Sequence, residues 1–260
     1  MRSFVLAWAA VFLVSGTAAS QEAEPRRWAA GLSFTGERFE AATPSWEDWS
    51  AVEARLERRF TGGTVALEGG WFERFGHDDR LAGVDLYLVL WPGAYGNAHL
   101  RVAPDAAAIA RTDLMLELFQ GFASGWEPSL GYRYSRYADG SVHAGSVAAA
   151  RYFGAWYGRA RLAHARRSGT GGTSFGALLR RTLGSEAEVA EATFSTGTEA
   201  VTVPGVDSAP DVELRGTTSA TVGARVQLSG PLGLALALGY TTFEGAPARG
   251  SAGAALTLRW

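Results

Sequence analysis

The stretch Leu81-Ala-Gly-Val-Asp-Leu-Tyr-Leu-Val-Leu-Trp91 alternates apolar side chains at Val84, Leu86, Leu88 and Leu90 with Asp85 and Tyr87. A period of two belongs to an extended strand whose two faces meet different surroundings, because successive side chains point to opposite sides of a sheet. The pattern recurs in both directions along the chain. Leu114, Leu116 and Leu118 alternate with Asp113, Met115 and Glu117, and Ala220, Val222, Ala224, Val226 and Leu228 alternate with Thr221, Gly223, Arg225 and Gln227. Leu232, Leu234, Leu236 and Leu238 alternate with Gly and Ala. Helical spacing hardly occurs. Every such run together predicts about fourteen strands, twelve being the alternative, over residues 27–36, 48–59, 63–74, 81–91, 95–103, 111–120, 127–136, 141–152, 155–165, 173–183, 185–196, 213–228, 231–243 and 250–260. An even strand number is that of a single-chain, antiparallel up-and-down transmembrane β-barrel.

Connection lengths supply a second line of argument. Short turns at Phe60-Thr-Gly-Gly63, Trp91-Pro-Gly-Ala94, Phe153-Gly154, Leu183-Gly184 and Ser229-Gly-Pro231 suit tight hairpins. Longer polar links near 37–47, 75–80, 103–110, 166–172 and 197–212 alternate with them. Short turns on one rim and long loops on the other are the periplasmic and extracellular ends of an outer-membrane barrel. Aromatic residues gather at strand ends, as rings with an apolar body and a polar edge do at headgroup level. Trp28, Trp91, Tyr95, Trp126, Tyr152, Trp156 and Trp260 fall on the short-turn rim, and Trp46, Trp49, Trp71, Tyr134, Tyr137, Tyr240 and Phe243 nearer the other.

Lipid also decides which face is which. Glu53, Arg55 and Glu57 alternate with Val52, Ala54 and Leu56, and an Arg facing hydrocarbon at the midplane costs ~2–4 kcal/mol. The charged set is therefore predicted to face the lumen. The same argument turns Glu68, Asp85, His99, Arg101, Asp113, Glu117, Arg133, Arg159 and Arg161 inward. Over residues 173–196 either parity leaves a charge outside, so the register there stays open.

The chain has 260 residues with no cysteine and a formal net charge of -2. No cysteine means no disulfide framework, thiol nucleophile or Cys-ligated zinc, and the near-zero charge argues against a nucleic-acid partner. Arg2, the apolar run Phe4 to Val14 and the small residues Ser15 to Ala19 read as a cleaved Sec-type signal peptide over 1–19, with the barrel domain over 20–260. The apolar run is well short of the ~20 residues of a spanning helix. Export then places the chain in the bacterial outer membrane, among its lipids and lipopolysaccharide. The final segment presents Ala252, Ala254, Leu256, Leu258 and Trp260 on one face and ends in an aromatic residue. This is similar to the C-terminal signal read by the barrel assembly machinery, which an unpaired edge strand can dock by strand addition.

Phe72-Glu-Arg-Phe-Gly76, Leu90-Trp-Pro-Gly-Ala-Tyr95, Trp126-Glu-Pro-Ser-Leu-Gly-Tyr-Arg133 and Tyr152-Phe-Gly-Ala-Trp-Tyr-Gly-Arg-Ala-Arg161 resemble the YaiO family of outer-membrane β-barrels, best over residues 46–165. The resemblance implies fold and location. Members often carry tetratricopeptide repeats ahead of the barrel. Here the first strand begins almost at once, so any repeat-mediated partner would have to be a separately encoded repeat protein.

Function is read from the lumen. A barrel of about fourteen strands lies between eight-stranded barrels that fill themselves and larger ones that hold a channel, so a narrow passive pore for small solutes is expected, without enzymatic activity, cofactor or metal. The alternatives are a structural or partner-binding barrel plugged by its own salt bridges, a membrane-embedded lipid-modifying enzyme, and a soluble secreted sandwich. An enzyme needs a base beside a nucleophile. His77 stands with Asp78 and Asp79 in a presumed turn, His143 has Ser141 and Ser146 near it on one strand, and His99 and His164 complete the imidazoles. None forms a triad in the sequence. The stretch Pro204 to Pro210, with Asp207 and Asp211, is expected to be a surface loop.

Overall fold

The computed structural model describes residues 4–5, 27–40, 48–185, 187–204 and 210–260. Fourteen strands make the wall: β1 (Trp28–Phe39), β2 (Trp49–Phe60), β3 (Gly63–Arg74), β4 (His77–Trp91), β5 (Ala94–Val102), β6 (Thr112–Gln120) and β7 (Trp126–Arg136) form its first half. The second half is β8 (Ser141–Phe153), β9 (Trp156–Arg167), β10 (Thr170–Thr182), β11 (Val189–Pro204), β12 (Pro210–Ser229), β13 (Leu232–Phe243) and β14 (Ala246–Arg259). Each strand pairs antiparallel with the next, and β14 returns to β1 from Arg259↔Ala29 to Arg249↔Phe39. The seam is tied by reciprocal bonds, Trp28 N–H to the Trp260 carbonyl at 2.9 Å and Trp260 N–H to the Trp28 carbonyl at 3.0 Å. Closure pairs every strand edge, which an open sheet in lipid could not do. Phe4 and Val5, within the expected signal segment, bridge to Thr202 and Val201 on β11.

The outward set is apolar: Leu32, Phe34, Leu67, Leu130, Leu162, Val222, Leu236, Leu238 and Leu256 are all exposed. Water would not leave such a band uncovered on a soluble protein, whereas hydrocarbon covers it. Leu236 stands midway along β13 and is 54% exposed. Its replacement by Arg should cost ~2–4 kcal/mol, read as a lower urea midpoint of unfolding from lipid vesicles. An unchanged midpoint would mean that this face does not meet lipid.

The rims differ from the sequence reading in part. The rim that holds Trp28 and Trp260 carries the turns at 60–63, 91–94, 153–156 and 229–232, with links of a few residues at 120–126 and 182–189. The opposite rim does hold the long connections at 39–49 and 102–112, but residues 74–77, 167–170 and 243–246 there are tight turns. Residues 75–80 and 166–172 are therefore strand ends around two-residue turns rather than long loops; β4 begins at His77, β9 runs to Arg167 and β10 begins at Thr170. Cross-strand hydrogen bonds outweigh the polarity of those segments, because both of their faces are wetted at the rim.

Candidate functional site

The interior has two unlike walls. The first is charged and comes from β2 to β9. Arg55 on β2 bridges Glu68 on β3 and meets Asp85 on β4 at 2.9 Å, while Asn97 on β5 donates to the same Asp85 at 2.7 Å. Glu68 also receives Arg101 at 3.0 Å and lies 3.2 Å from His99. Glu57 is 3.7 Å from Arg55, and Glu53 is 3.6 Å from Arg101. Next around the wall, Arg133 holds Asp113 with two nitrogens, at 2.7 and 2.5 Å, and Ser135 donates to that carboxylate at 2.7 Å. Arg159 bridges Glu117, Ser129 donates to Glu117 at 2.8 Å, and Arg161 donates to Ser146 at 2.8 Å. All twelve sequence-selected charged residues thus stand on the inner face in neighbouring ion-pair and hydrogen-bond networks. The reason is cross-strand registry: Arg55↔Glu68, Asp85↔His99 and Arg101↔Asp113 are direct neighbours on one face.

The second wall, from β10 through β14 to β1, is small. Its inward positions are Ser174 and Gly176, Thr193 and Ser195, Ser219, Thr221 and Gly223, Ala237 and Gly239, Ser251 and Gly253, and Ser33 and Thr35, as the pairings show. Charges return on this side only toward the ends, where Arg180 meets Glu191 at 3.2 Å and Arg249 meets Glu37 at 2.7 Å. These pairings settle the open register: Arg180 points inward, and Arg181 lies outside with its guanidinium over the Trp156 ring at 5.4 Å. Between the walls lies a cavity of about 350 Å3, touched by Asp113, Glu117 and Arg159 on one side and by Thr193, Ser219 and Thr221 on the other.

One mouth is narrowed from within. At Gly197, with φ of 125°, β11 leaves its pairing with β10, and a side chain there would run into the Thr173 carbonyl. Beyond it the arms of β11 and β12 continue as a two-stranded hairpin, Thr198↔Gly216 to Pro204↔Pro210. One face of this hairpin, Ala200 and Val212, packs on Tyr137, Val142 and Ala165 of the β7–β9 side. Its other face, Val201 and Val203, packs on Phe243 and Ala246 of the β13–β14 side. A hairpin with both faces covered by inward-facing residues of two separate walls stands inside the mouth. Arg167 fastens it by donating to the Val212 carbonyl and to Asp139, with Asp211 at 3.3 Å, and Val212 N–H donates to Asp139 at 3.0 Å. Burial and a hydrogen bond with Asp211 push the Asp139 carboxyl above its ordinary range. Residues 197–204 and 210–212 are thus strand rather than surface loop; residues 205–209, with Asp207, lie outside the described residues.

A second mouth element was hidden in the sequence. Asp79, expected in a solvated turn, is buried on β4 and accepts N–H bonds from Ala107, Ala108 and Ile109 at 2.9, 2.7 and 3.0 Å. It pins the β5–β6 connection inward, with Ala103, Ala106 and Ala108 buried. No group of three metal-ligating side chains occurs among the described residues. His143 and Ser146 are on opposite faces: His143 is outside, its Nδ1 2.8 Å from the Tyr132 hydroxyl, and Ser146 is inside with Arg161.

Five strand-end aromatics also face inward rather than toward lipid. Tyr95 stacks on Phe119 at 4.6 Å, Tyr152 meets Tyr157 at 4.6 Å, Trp49 packs on Phe39 at 4.6 Å, and Tyr137 and Phe243 hold the hairpin. The outer belt keeps Trp28, Trp91, Trp126, Trp156 and Trp260, with Tyr240 at the other rim. Trp46 lies outside the described residues. Ala252, Ala254, Leu256, Leu258 and Trp260 share the outer face of β14.

A closed antiparallel barrel with an apolar outside and an ion-paired inside defines an outer-membrane β-barrel protein. The family model for the YaiO membrane beta barrel domain matches residues 29–202, and the chain belongs to that family. No match was found among curated proteins. Among solved structures it is similar to the CymD monoaromatic hydrocarbon channel, with 10% identity, 90% of this chain and 89% of that one covered, and a TM-score of 0.57. An anion-selective porin from Comamonas acidovorans aligns with 9% identity over 90% of this chain and 98% of that one, at a TM-score of 0.48.

Proposed function

We propose that this barrel is a narrow, non-enzymatic passive pore for small polar solutes, with the β11–β12 hairpin as the constriction at its outer mouth. The observation that carries this is the asymmetry of the lumen. Ion pairs fill one side, whereas the opposite wall holds Gly, Ala, Ser and Thr over the middle of six strands. Structural salt bridging alone would not require a small wall. Hydroxyls offer donors and acceptors to a passing hydrated solute without binding it strongly, and conduction needs such weak sites. Mutual neutralisation of the lumen charges favours weak discrimination between cations and anions.

The test is conductance in planar bilayers. Thr221→Trp, on the small wall beside the cavity, should remove most of the conductance while leaving unfolding unchanged. A barrel silent both intact and without its hairpin would instead be the plugged, partner-binding barrel. In export, cleavage before Ser20 leaves the barrel domain, and the apolar face ending at Trp260 serves as the docking strand for assembly. A separately encoded repeat protein remains the proposed periplasmic partner.

A further inference from the structure

The outward positions at the outer ends of β7, β8 and β9 break the apolar pattern together. Arg136, His143, His164 and Arg166 are all exposed there, beside Tyr132 and Tyr134. Registry makes them one patch, since Arg166↔His143, His143↔Tyr134 and Arg136↔Ser141 are cross-strand neighbours. Both imidazoles are positioned: His143 by the Tyr132 hydroxyl at 2.8 Å and the Tyr134 ring at 5.0 Å, His164 by the Thr173 hydroxyl at 3.0 Å. Among the described residues neither Arg136 nor Arg166 has a carboxylate within salt-bridge distance. Asp139, the nearest acid in sequence, is engaged by Arg167 on the inner side. Elsewhere on the same rim the outward arginines, Arg38 and Arg80, are interspersed with outward acids, Glu40, Glu73, Asp78 and Glu244.

Height fixes what the patch meets. From Trp156 at the periplasmic end to Arg166 along β9, the rise per residue and a tilt of about 40° give about 25 Å, the height of the apolar band. The cations therefore stand at the headgroup level of the outer leaflet. We propose that this face of β7–β9 binds the phosphorylated sugar headgroup of lipopolysaccharide, with Arg136 and Arg166 on the phosphate and the tyrosines against the acyl and sugar boundary. Arg offers a planar fork of donors matched to phosphate oxygens, and an exposed cation pair without acids finds complementary charge there.

The test is native mass spectrometry of the detergent-purified mature barrel, titrated with bisphosphorylated lipid A, with dephosphorylated lipid A and with inorganic phosphate. The intact barrel should retain the bisphosphorylated form about tenfold better than the dephosphorylated one. The double variant R136Q/R166Q should lose that discrimination, and R38Q/R80Q, which removes outward arginines on β1 and β4, should keep it. Equal retention of the two lipids by the intact barrel overturns the proposal without any variant having to fold. So does equal loss in the two double variants. Inorganic phosphate binding as well as lipid A would show a soluble-anion site, which also overturns it.

Discussion

Single-channel conductance should rise several-fold when residues 199–215 are replaced by Asn-Gly, joining Thr198 to Gly216 through a two-residue turn. Those two residues are direct cross-strand partners, so the new turn closes the ladder without shifting register, and Asn-Gly suits the tight type I′ geometry. The barrel below keeps its pairings: β11 still meets β10 from Gly197 downward, and β12 meets β13 from Thr217 onward. What leaves is the hairpin standing between Tyr137, Val142 and Ala165 on one side and Phe243 and Ala246 on the other. The resistance of a pore is dominated by its narrowest segment, so removing a peptide layer from the mouth raises conductance. Arg167→Ala, which unfastens Asp139, Asp211 and the Val212 carbonyl, should act in the same direction as flickering rather than a steady increase. Conductance unchanged by the deletion would place the constriction elsewhere and leave the hairpin a structural brace.

The wall was legible because membrane physics writes a strong rule into it. A charge outside and a leucine inside both carry a penalty, so parity at Glu53, Asp85, Glu117 or Leu236 has one answer. The rule weakens where both faces are wet. Near the outer rim, Asp79 and Val212 look like surface residues, since nothing local in His77-Asp-Asp or Pro210-Asp-Val signals that loop amides or a guanidinium wait across the mouth. Strand-end aromatics misled for a related reason. Tyr95 and Trp49 have the composition of a headgroup belt, and only the register, Tyr95↔Phe119 and Trp49↔Glu37, turns them into the lumen. The ambiguous Arg180-Arg181 pair needed a partner on another strand, Glu191, and the ring of a cross-strand neighbour, Trp156, to be resolved. The small wall was visible as composition, but its continuity across strands is a property of closure.

Glu68→Ala should destabilise the barrel by about 3 kcal/mol, the low end of what breaking a buried ion pair costs. Glu68 is largely shielded from solvent, and two guanidinium groups and an imidazole converge on it: Arg55, Arg101 at 3.0 Å and His99 at 3.2 Å. Without it Arg55 keeps Asp85 at 2.9 Å, and Arg101 keeps the more exposed Glu53 at 3.6 Å. The variant therefore leaves positive charges facing one another with one acid fewer, in a wall where low dielectric strengthens repulsion. Glu68→Gln should cost less, because its amide oxygen still accepts a hydrogen bond and the shape is kept. The informative comparison adds Arg101→Met alone and with Glu68→Ala, read as urea midpoints in vesicles. Removing both partners leaves fewer unmatched charges than the two single changes counted separately, so the double variant should be more stable than the sum of the singles predicts, by about 1–3 kcal/mol of coupling. Strict additivity would mean that water already screens the pair, and the charged wall would then be a wet lining through which solute could also pass.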